Sequence, residues 1–486
     1  MSDEFTADLG AAAQVAGAKS RPVDGEAVKY AQDLSRSLTF RENVLITLSA
    51  VTPASSVFII MPSVINGIGG ASAIAFGVAA IVGVLVAFCY AELSSAFPIT
   101  GGEYAFVARV LGKPAGFALF GLTLVGGILI LGVIASGAGT YLGVLSSSLN
   151  ASWVGIVVIV ATAIIACFGI KANAWVTGAF LLIEVAALVV LALLGFVNVT
   201  QPVSVLWEAT TSGPGGVLVG ASAGLVVSFT ATALFAYNGY GTAVYYAEET
   251  KQARSTIGRA ILWSLAITVA AEFVPLVAVL LGTPSMAKLV GAADPMTYFM
   301  EARGGTVLNT IVSLGIAVAI INAVLAIMLQ MGRLLYSSAR DRTWPDWLNR
   351  PLAHVHPRFK TPIAATLVVG AIGALCLWLV PFDVLLVITG GNLLVTYLLV
   401  GVAAFVGRIN RTTARADYRM PLWPVVPIVM VLATSVIIYE NIVADWVPVA
   451  VTGALFAIGF PYYFLYLRPR SHDRWTLPNP ADEELP

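Results

Sequence analysis

The sequence predicts an all-α polytopic membrane protein, and three observations carry that prediction. Of its 486 residues 58% are apolar and only 11% are charged, against roughly 25% charged in an ordinary soluble domain. Mean hydropathy is +0.89, which implies more apolar surface than a water-soluble fold can bury. Charge-free stretches run from Asn43 to Ala91 and from Pro114 to Ile170. Each holds two spans of about 20 residues and a turn between them. The runs are continuous, without the alternation of a barrel strand, so they are helices. A formal charge of zero with no basic stripe excludes nucleic acid as a partner.

Taken in order, twelve spans are expected, at 44–66, 72–96, 115–143, 152–170, 174–197, 217–247, 256–282, 306–338, 361–381, 384–406, 422–440 and 446–467. The segments Gly67–Gly70 and Ser146–Asn150 supply the turns inside the two charge-free stretches. Basic residues then set the orientation. They concentrate in alternate connections: Arg109 and Lys113; Lys171; Lys251, Arg254 and Arg259; Arg333 to Lys360; Arg408 to Arg419; Arg468 to Arg474. The opposite connections hold only Lys288 and Arg303. By the positive-inside rule both termini are cytoplasmic, which an even number of spans requires. Residues 1–40 lack the apolar core of a signal peptide and read as an N-terminal tail, with a short surface helix around Glu26 to Leu38. Residues 41–469 form the membrane domain, and 470–486 read as a polar, disordered cytoplasmic tail.

Two spans are interrupted. In span 1, Leu48-Ser-Ala-Val-Thr-Pro-Ala-Ser-Ser-Val-Phe58, Pro53 cannot donate a backbone hydrogen bond and disfavours helix at Thr52. In span 6, Leu234-Phe-Ala-Tyr-Asn-Gly-Tyr-Gly-Thr-Ala-Val244, Gly239 and Gly241 stand beside Asn238. Unwound backbone inside a bilayer is tolerated only where it is buried or lines a cavity. The interruptions lie five spans apart, and five is odd, so spans 1–5 and 6–10 form an inverted repeat, an architecture of secondary transporters. Freed N–H groups at half-helix N-termini favour a carboxylate, and freed carbonyls an ammonium. That pair suits a zwitterion.

Further segments have a familiar order: Ala91-Glu-Leu-Ser-Ser-Ala-Phe-Pro-Ile-Thr-Gly-Gly-Glu-Tyr104, Ala247-Glu-Glu-Thr250, Gly332-Arg-Leu-Leu-Tyr-Ser-Ser-Ala-Arg-Asp341, Lys360-Thr-Pro362 and Tyr418-Arg-Met-Pro421. With the two broken spans, they make the sequence resemble the amino acid–polyamine–organocation (APC) transporter superfamily over about residues 38 to 467. The resemblance implies a bacterial-type amino acid permease of the inner (plasma) membrane. It also implies a LeuT-like 5+5 inverted repeat with two extra helices, alternating access, and a central site between spans 1, 3, 6 and 8. Carried over by position, Ser55, Ser56 and Val57 resemble the backbone that binds a substrate carboxylate, with Thr52 at its start. Ala236, Tyr237, Asn238 and Gly239 resemble the segment that meets the amino group, and Phe235 the aromatic that closes over substrate. Many members carry an acidic residue three positions after the asparagine; this chain has Gly241, which weakens the case for a strongly cationic substrate.

Charges inside the spans carry the remaining expectations. A mid-membrane carboxylate is costly unless it is protonated, paired or hydrated. Glu184 stands ten residues into span 5, where proton-coupled relatives resemble it in sequence but hold a lysine, so Glu184 is the candidate for proton coupling. Glu272 in span 7, nearer the outer end, reads as an interface or vestibule carboxyl. The middle of span 8 offers only Asn322 where sodium-coupled members resemble one another in two hydroxyls, which disfavours sodium. Glu92 and Glu103, with Arg109, Lys251, Arg254, Arg333 and Arg340, compose a candidate inner gate. No span contains a histidine and no His/Cys/carboxylate cluster has metal spacing, so neither an intramembrane enzyme nor a metal or other cofactor is expected. The expected partners are an amino acid or amine substrate, protons and the lipid bilayer. Proton-coupled uptake is the favoured reading, and exchange of amino acids or polyamines the alternative.

Overall fold

Backbone groups in hydrocarbon have no water to bond, so a chain this apolar satisfies them within helices. The computed structural model describes residues 36–142, 150–380, 382–444 and 446–477. Among these, nine helices are long and apolar enough to cross a membrane. The first is split. Helix α1 (Phe40–Val51) starts in a capping box between Thr39 and Glu42 and stops at Thr52, which takes a left-handed φ of 51° ahead of Pro53. A π-helical turn, Ser56–Ile60, then leads into α2 (Met61–Ile68).

Helices α3 (Ser72–Ala96), α4 (Glu103–Val110), α5 (Lys113–Leu142), α6 (Ala151–Ala166) and α7 (Ile170–Val197) complete the first half. A hairpin of β1 (Thr210–Ser212) and β2 (Leu218–Gly220) opens the second, paired with Thr211 opposite Val219. Next come α8 (Ala223–Ala236), α9 (Ala253–Gly282), α10 (Pro295–Arg340), α11 (Asp346–Leu352), α12 (Ile363–Leu379), α13 (Phe382–Ile409), α14 (Val425–Ala444) and α15 (Trp446–Tyr462).

Several expectations are corrected. The stretch expected as a span from 217 begins instead with strand β2, and its helix starts only at Ala223, where Ser222 caps the Leu225 N–H. Gly-rich sequence around 213–216 favours the turn over helix there. The expected interruption of span 6 is present. After Ala236 the chain turns at Gly239, whose φ is 119°, and continues as a 3₁₀ segment, Tyr240–Glu249. Helix α10 extends the expected 306–338 back to Pro295 across a non-helical Gly305. Helices α6 and α12 have 16 and 17 residues, short of the usual spanning length. The proposed surface helix lies outside the described residues, apart from its end near Leu38.

Outward faces are apolar. Leu182, Leu193 and Val197 on α7, Trp378 on α12 and Leu432 on α14 are all exposed, which suits lipid and no aqueous surface. Inside, α9 packs on α3 and α7, and α10 on α5 and α7. Small residues allow this approach: a side-chain carbon on Gly195 of α7 would lie 2.2 Å from the Ala278 carbonyl of α9.

The tail is corrected too. Residues 474–477 are not detached. Trp475 is buried and stacks on Tyr104 with ring centroids 5.2 Å apart, while Arg474 pairs with Asp346 at 2.9 Å. An indole has apolar area enough to hold a polar segment down, which a reading by composition overlooks.

Candidate functional site

The two interruptions meet. The Ser56 hydroxyl donates to the Ala236 carbonyl at 2.8 Å, tying the turn after Pro53 to the end of α8. Gly239 passes so close to α1 that a side-chain carbon there would lie 2.8 Å from the Val51 backbone. Its φ of 119° already requires glycine. Tyr141 of α5 donates to the Phe58 carbonyl at 2.9 Å, satisfying one acceptor of the π turn.

Beside this junction is a cavity of about 150 Å³. Thr52, Ser55 and Ser56 line it from the first break, and Phe235, Ala236, Asn238 and Gly239 from the second. Of the expected binding residues, Val57 and Tyr237 are not among the lining side chains. Both are buried, and the Tyr237 ring meets Phe76 edge-on at 5.4 Å. Sequence reasoning missed the other walls: Thr123, Gly126 and Gly127 on α5, Gln330 and Met331 on α10, and Asn392, Thr396 and Tyr397 on α13. Tyr397 donates to the Asn238 side-chain oxygen at 3.2 Å, and Thr242 to that of Gln330 at 3.3 Å. The one available signal was an uncharged amide within each of two apolar runs, and such residues also serve as ordinary helix contacts.

Glu184 and Asn322, noted separately in the sequence, are partners. The Asn322 amide donates to Glu184 at 2.8 Å, and both residues are fully buried. The other Glu184 oxygen is without a hydrogen-bond partner among the described residues, and the carboxyl lies beside the Ala54 peptide of the first break. Of the two readings of Glu272, its position fits a helix interface and not an open vestibule. It is fully buried and faces Ser56, because α9 packs directly against the interrupted α1 region.

At the end of the helices that carries the basic loops, ion pairs join α10 to the 3₁₀ segment Tyr240–Glu249. Arg333 of α10 holds Glu249 through contacts of 2.5 and 2.9 Å, and Arg340 holds Glu248 at 2.6 Å. Glu248 also accepts from the Thr100 N–H at 2.9 Å, and Tyr104 donates to Asp341 at 3.0 Å. Burial pushes the Asp341 carboxyl up, and the Arg340 and Arg109 charges hold it back. Glu103 lines the cavity, and Tyr90, at 3.0 Å, and Tyr245 each donate to it. Burial pushes its carboxyl up as well, the Tyr245 hydrogen bond opposing.

Glu92 belongs elsewhere. Arg408 of α13 grips it with two contacts of 2.6 Å, and Thr413 and the Met420 N–H complete its shell. Arg254, named beside it from the sequence, stands at the start of α9. A bidentate guanidinium over 300 residues away in sequence outcompetes the nearer cations by geometry.

Comparison with known proteins agrees with this architecture. The family model described as amino acid permease matches residues 38–466. The chain is similar to the methylthioribose transporter of Bacillus subtilis (strain 168), 26% identical over 461 residues, covering 90% of this chain and 95% of that protein. It is similar to the branched-chain amino acid permease BcaP of the same organism, 24% identical over 461 residues with the same 90% and 95% coverage. An uncharacterized transporter of Mycobacterium tuberculosis is 32% identical over 360 residues, 73% of this chain and 76% of its own. A multi-pass helical protein with this match over nearly its whole length belongs to the amino acid permease family, within the APC superfamily.

Proposed function

We propose that the protein is a secondary active transporter that takes up a small amino acid or related amine by alternating access, coupled to protons. One observation carries the reading: two interrupted helices converge on a single buried cavity in an amino acid permease. The hydroxyls and peptide groups at Ser55 and Ser56 suit the carboxylate, and the carbonyls around Ala236 and Asn238 suit the amino group. On this reading all twelve expected spans cross the plasma membrane as a LeuT-like repeat plus two helices, with both termini in the cytoplasm. Phe235 closes over substrate, while the Arg333–Glu249 and Arg340–Glu248 pairs hold the cytoplasmic end.

Glu184 is the proposed proton carrier. Its bond to Asn322 and its position beside Ala54 support this, because a change in its charge acts on the first break without any charged partner between. A neutral carboxyl can donate toward one neighbour, whereas a carboxylate only accepts. Counterflow in proteoliposomes tests the carrier itself: substrate on the far side should accelerate exchange, and indifference to it indicates a pore. The coupling is tested by Glu184→Gln, which should still bind substrate and exchange it but lose the dependence of net uptake on a pH gradient. Uptake that keeps the wild-type pH dependence removes Glu184 from the mechanism.

A further inference from the structure

The relatives are named for a thioribose, branched-chain amino acids and cationic amino acids, so family membership leaves the cargo's side chain open. The cavity's third wall addresses it. Once the breaks take the carboxylate and amino group, α5, α10 and α13 remain to meet the rest of the substrate.

On that wall Asn392 is buried, yet neither its amide nitrogen nor its amide oxygen has a hydrogen-bond partner among the described residues. The Thr123 hydroxyl opposite is likewise unpartnered. Buried amides that lack a partner are rare, and each calls for a specific explanation. The local sequence sets this one in place: a side-chain carbon on Gly126 would come within 2.1 Å of the Asn392 amide nitrogen, and one on Gly127 within 2.0 Å of the Met331 sulfur. The Gly-Gly pair on α5 therefore leaves the room that the amide and the thioether occupy.

Charge complementarity argues against a cationic side chain. Glu103, at the start of α4, is the one carboxyl among the described residues that line the cavity, and Tyr90 and Tyr245 each donate to one of its oxygens. A guanidinium or ammonium would have to displace both phenols. Purely aliphatic cargo fits no better, since it would seal Asn392 and Thr123 away from any partner.

We propose that Asn392, with Thr123, is the specificity-determining element of the cavity and selects an amino acid with an uncharged hydrogen-bonding side chain, a carboxamide above all. An amide presents one donor group and one acceptor, and a second amide matches both. Met331 and Ile327 then cover the methylene part of the chain. This inference rests on the amino acid reading above.

The test uses the purified full chain in proteoliposomes, with counterflow of glutamine, asparagine, leucine, lysine and methylthioribose. The wild type should exchange glutamine or asparagine at least about tenfold more efficiently than leucine or lysine, since a site with polar groups rejects substrates that leave them unpaired. Asn392→Leu should remove that preference by lowering glutamine exchange about tenfold while leucine exchange holds or rises. Thr123→Val, a smaller change, should shift the ratio the same way. A wild-type preference for leucine or lysine overturns the proposal and leaves the amino acid reading intact. So does an equal loss for every substrate in the Thr123→Val variant. Exchange of methylthioribose with no amino acid exchanged overturns both.

Discussion

Arg333 shows what a single side chain carries here. It and Glu249 are both buried, with side chains 1% and 0% exposed, and it also donates to the Leu329 carbonyl at 3.0 Å. Removing one partner of such a pair leaves an uncompensated charge, which costs about 3–5 kcal/mol. Arg333→Ala should therefore lower the melting temperature in detergent sharply. Arg333→Lys should fall between, because an ammonium cannot reproduce the two-point contact. Equal melting of wild type and Arg333→Ala would mean the pair contributes little. At this scale the sequence was uneven in what it disclosed. Glu184 was conspicuous because a charge stands out in an apolar run, and Asn322 because span 8 offered nothing else polar at its middle. Their mutual bond was invisible, since 138 residues separate them. Asn392 gave only the weak signal of an amide in an apolar run and Thr123 gave none, because neutral polar residues occur on any helix contact. Arg408, the partner of Glu92, was not among the cations named beside it, because composition names the available cations and not the one within reach.

Among elements, the interrupted helices were the most legible. Pro53 after Thr52 and the paired glycines after Asn238 act through covalent geometry, which operates wherever the chain is placed. Gly239 tests how tightly the two breaks are joined. Gly239→Ala combines a strained positive φ, worth about 1–3 kcal/mol, with a carbon 2.8 Å from the Val51 backbone. The variant should melt lower and lose most of its exchange. Gly77→Ala is the control, since nothing lies within 4 Å of the added carbon and alanine favours helix by about 1 kcal/mol. Matching behaviour of the two variants would show that the contact between breaks is not decisive. Hydropathy by contrast misread residues 217–222, because a β-hairpin and the start of a span share the same Val, Leu and Gly. Hydrogen-bond pairing across the hairpin decided between them.

Across the whole molecule, the first and last described segments both pack at the basic end of the helices. Leu38 pairs with the backbone beyond the 3₁₀ segment, donating to the Glu249 carbonyl and accepting from Lys251 at 2.9 Å each. On the other side Trp475 fills a pocket of Tyr104, Phe117 and Phe120, and its indole N–H donates to the Lys113 carbonyl at 3.3 Å. Trp475→Ala empties that space, and large-to-small changes of this kind cost about 3–5 kcal/mol. Thermal melting of the purified variant should show the drop. A variant as stable as wild type would place the tail outside the cooperative unit.

By itself the sequence determined that the chain is a helical membrane protein, that two helices break, and that one carboxyl lies in the middle of a span. Each of those follows from local chemistry: transfer of apolar side chains out of water, the fixed ring of proline, the absent side chain of glycine, and the cost of charge in hydrocarbon. Only the tertiary structure decided which residues face one another: Asn322 with Glu184, Arg408 with Glu92, Asn392 with an open cavity, and Trp475 with a buried ring cluster. Those pairings depend on distances between segments hundreds of residues apart, and packing of the whole bundle sets them.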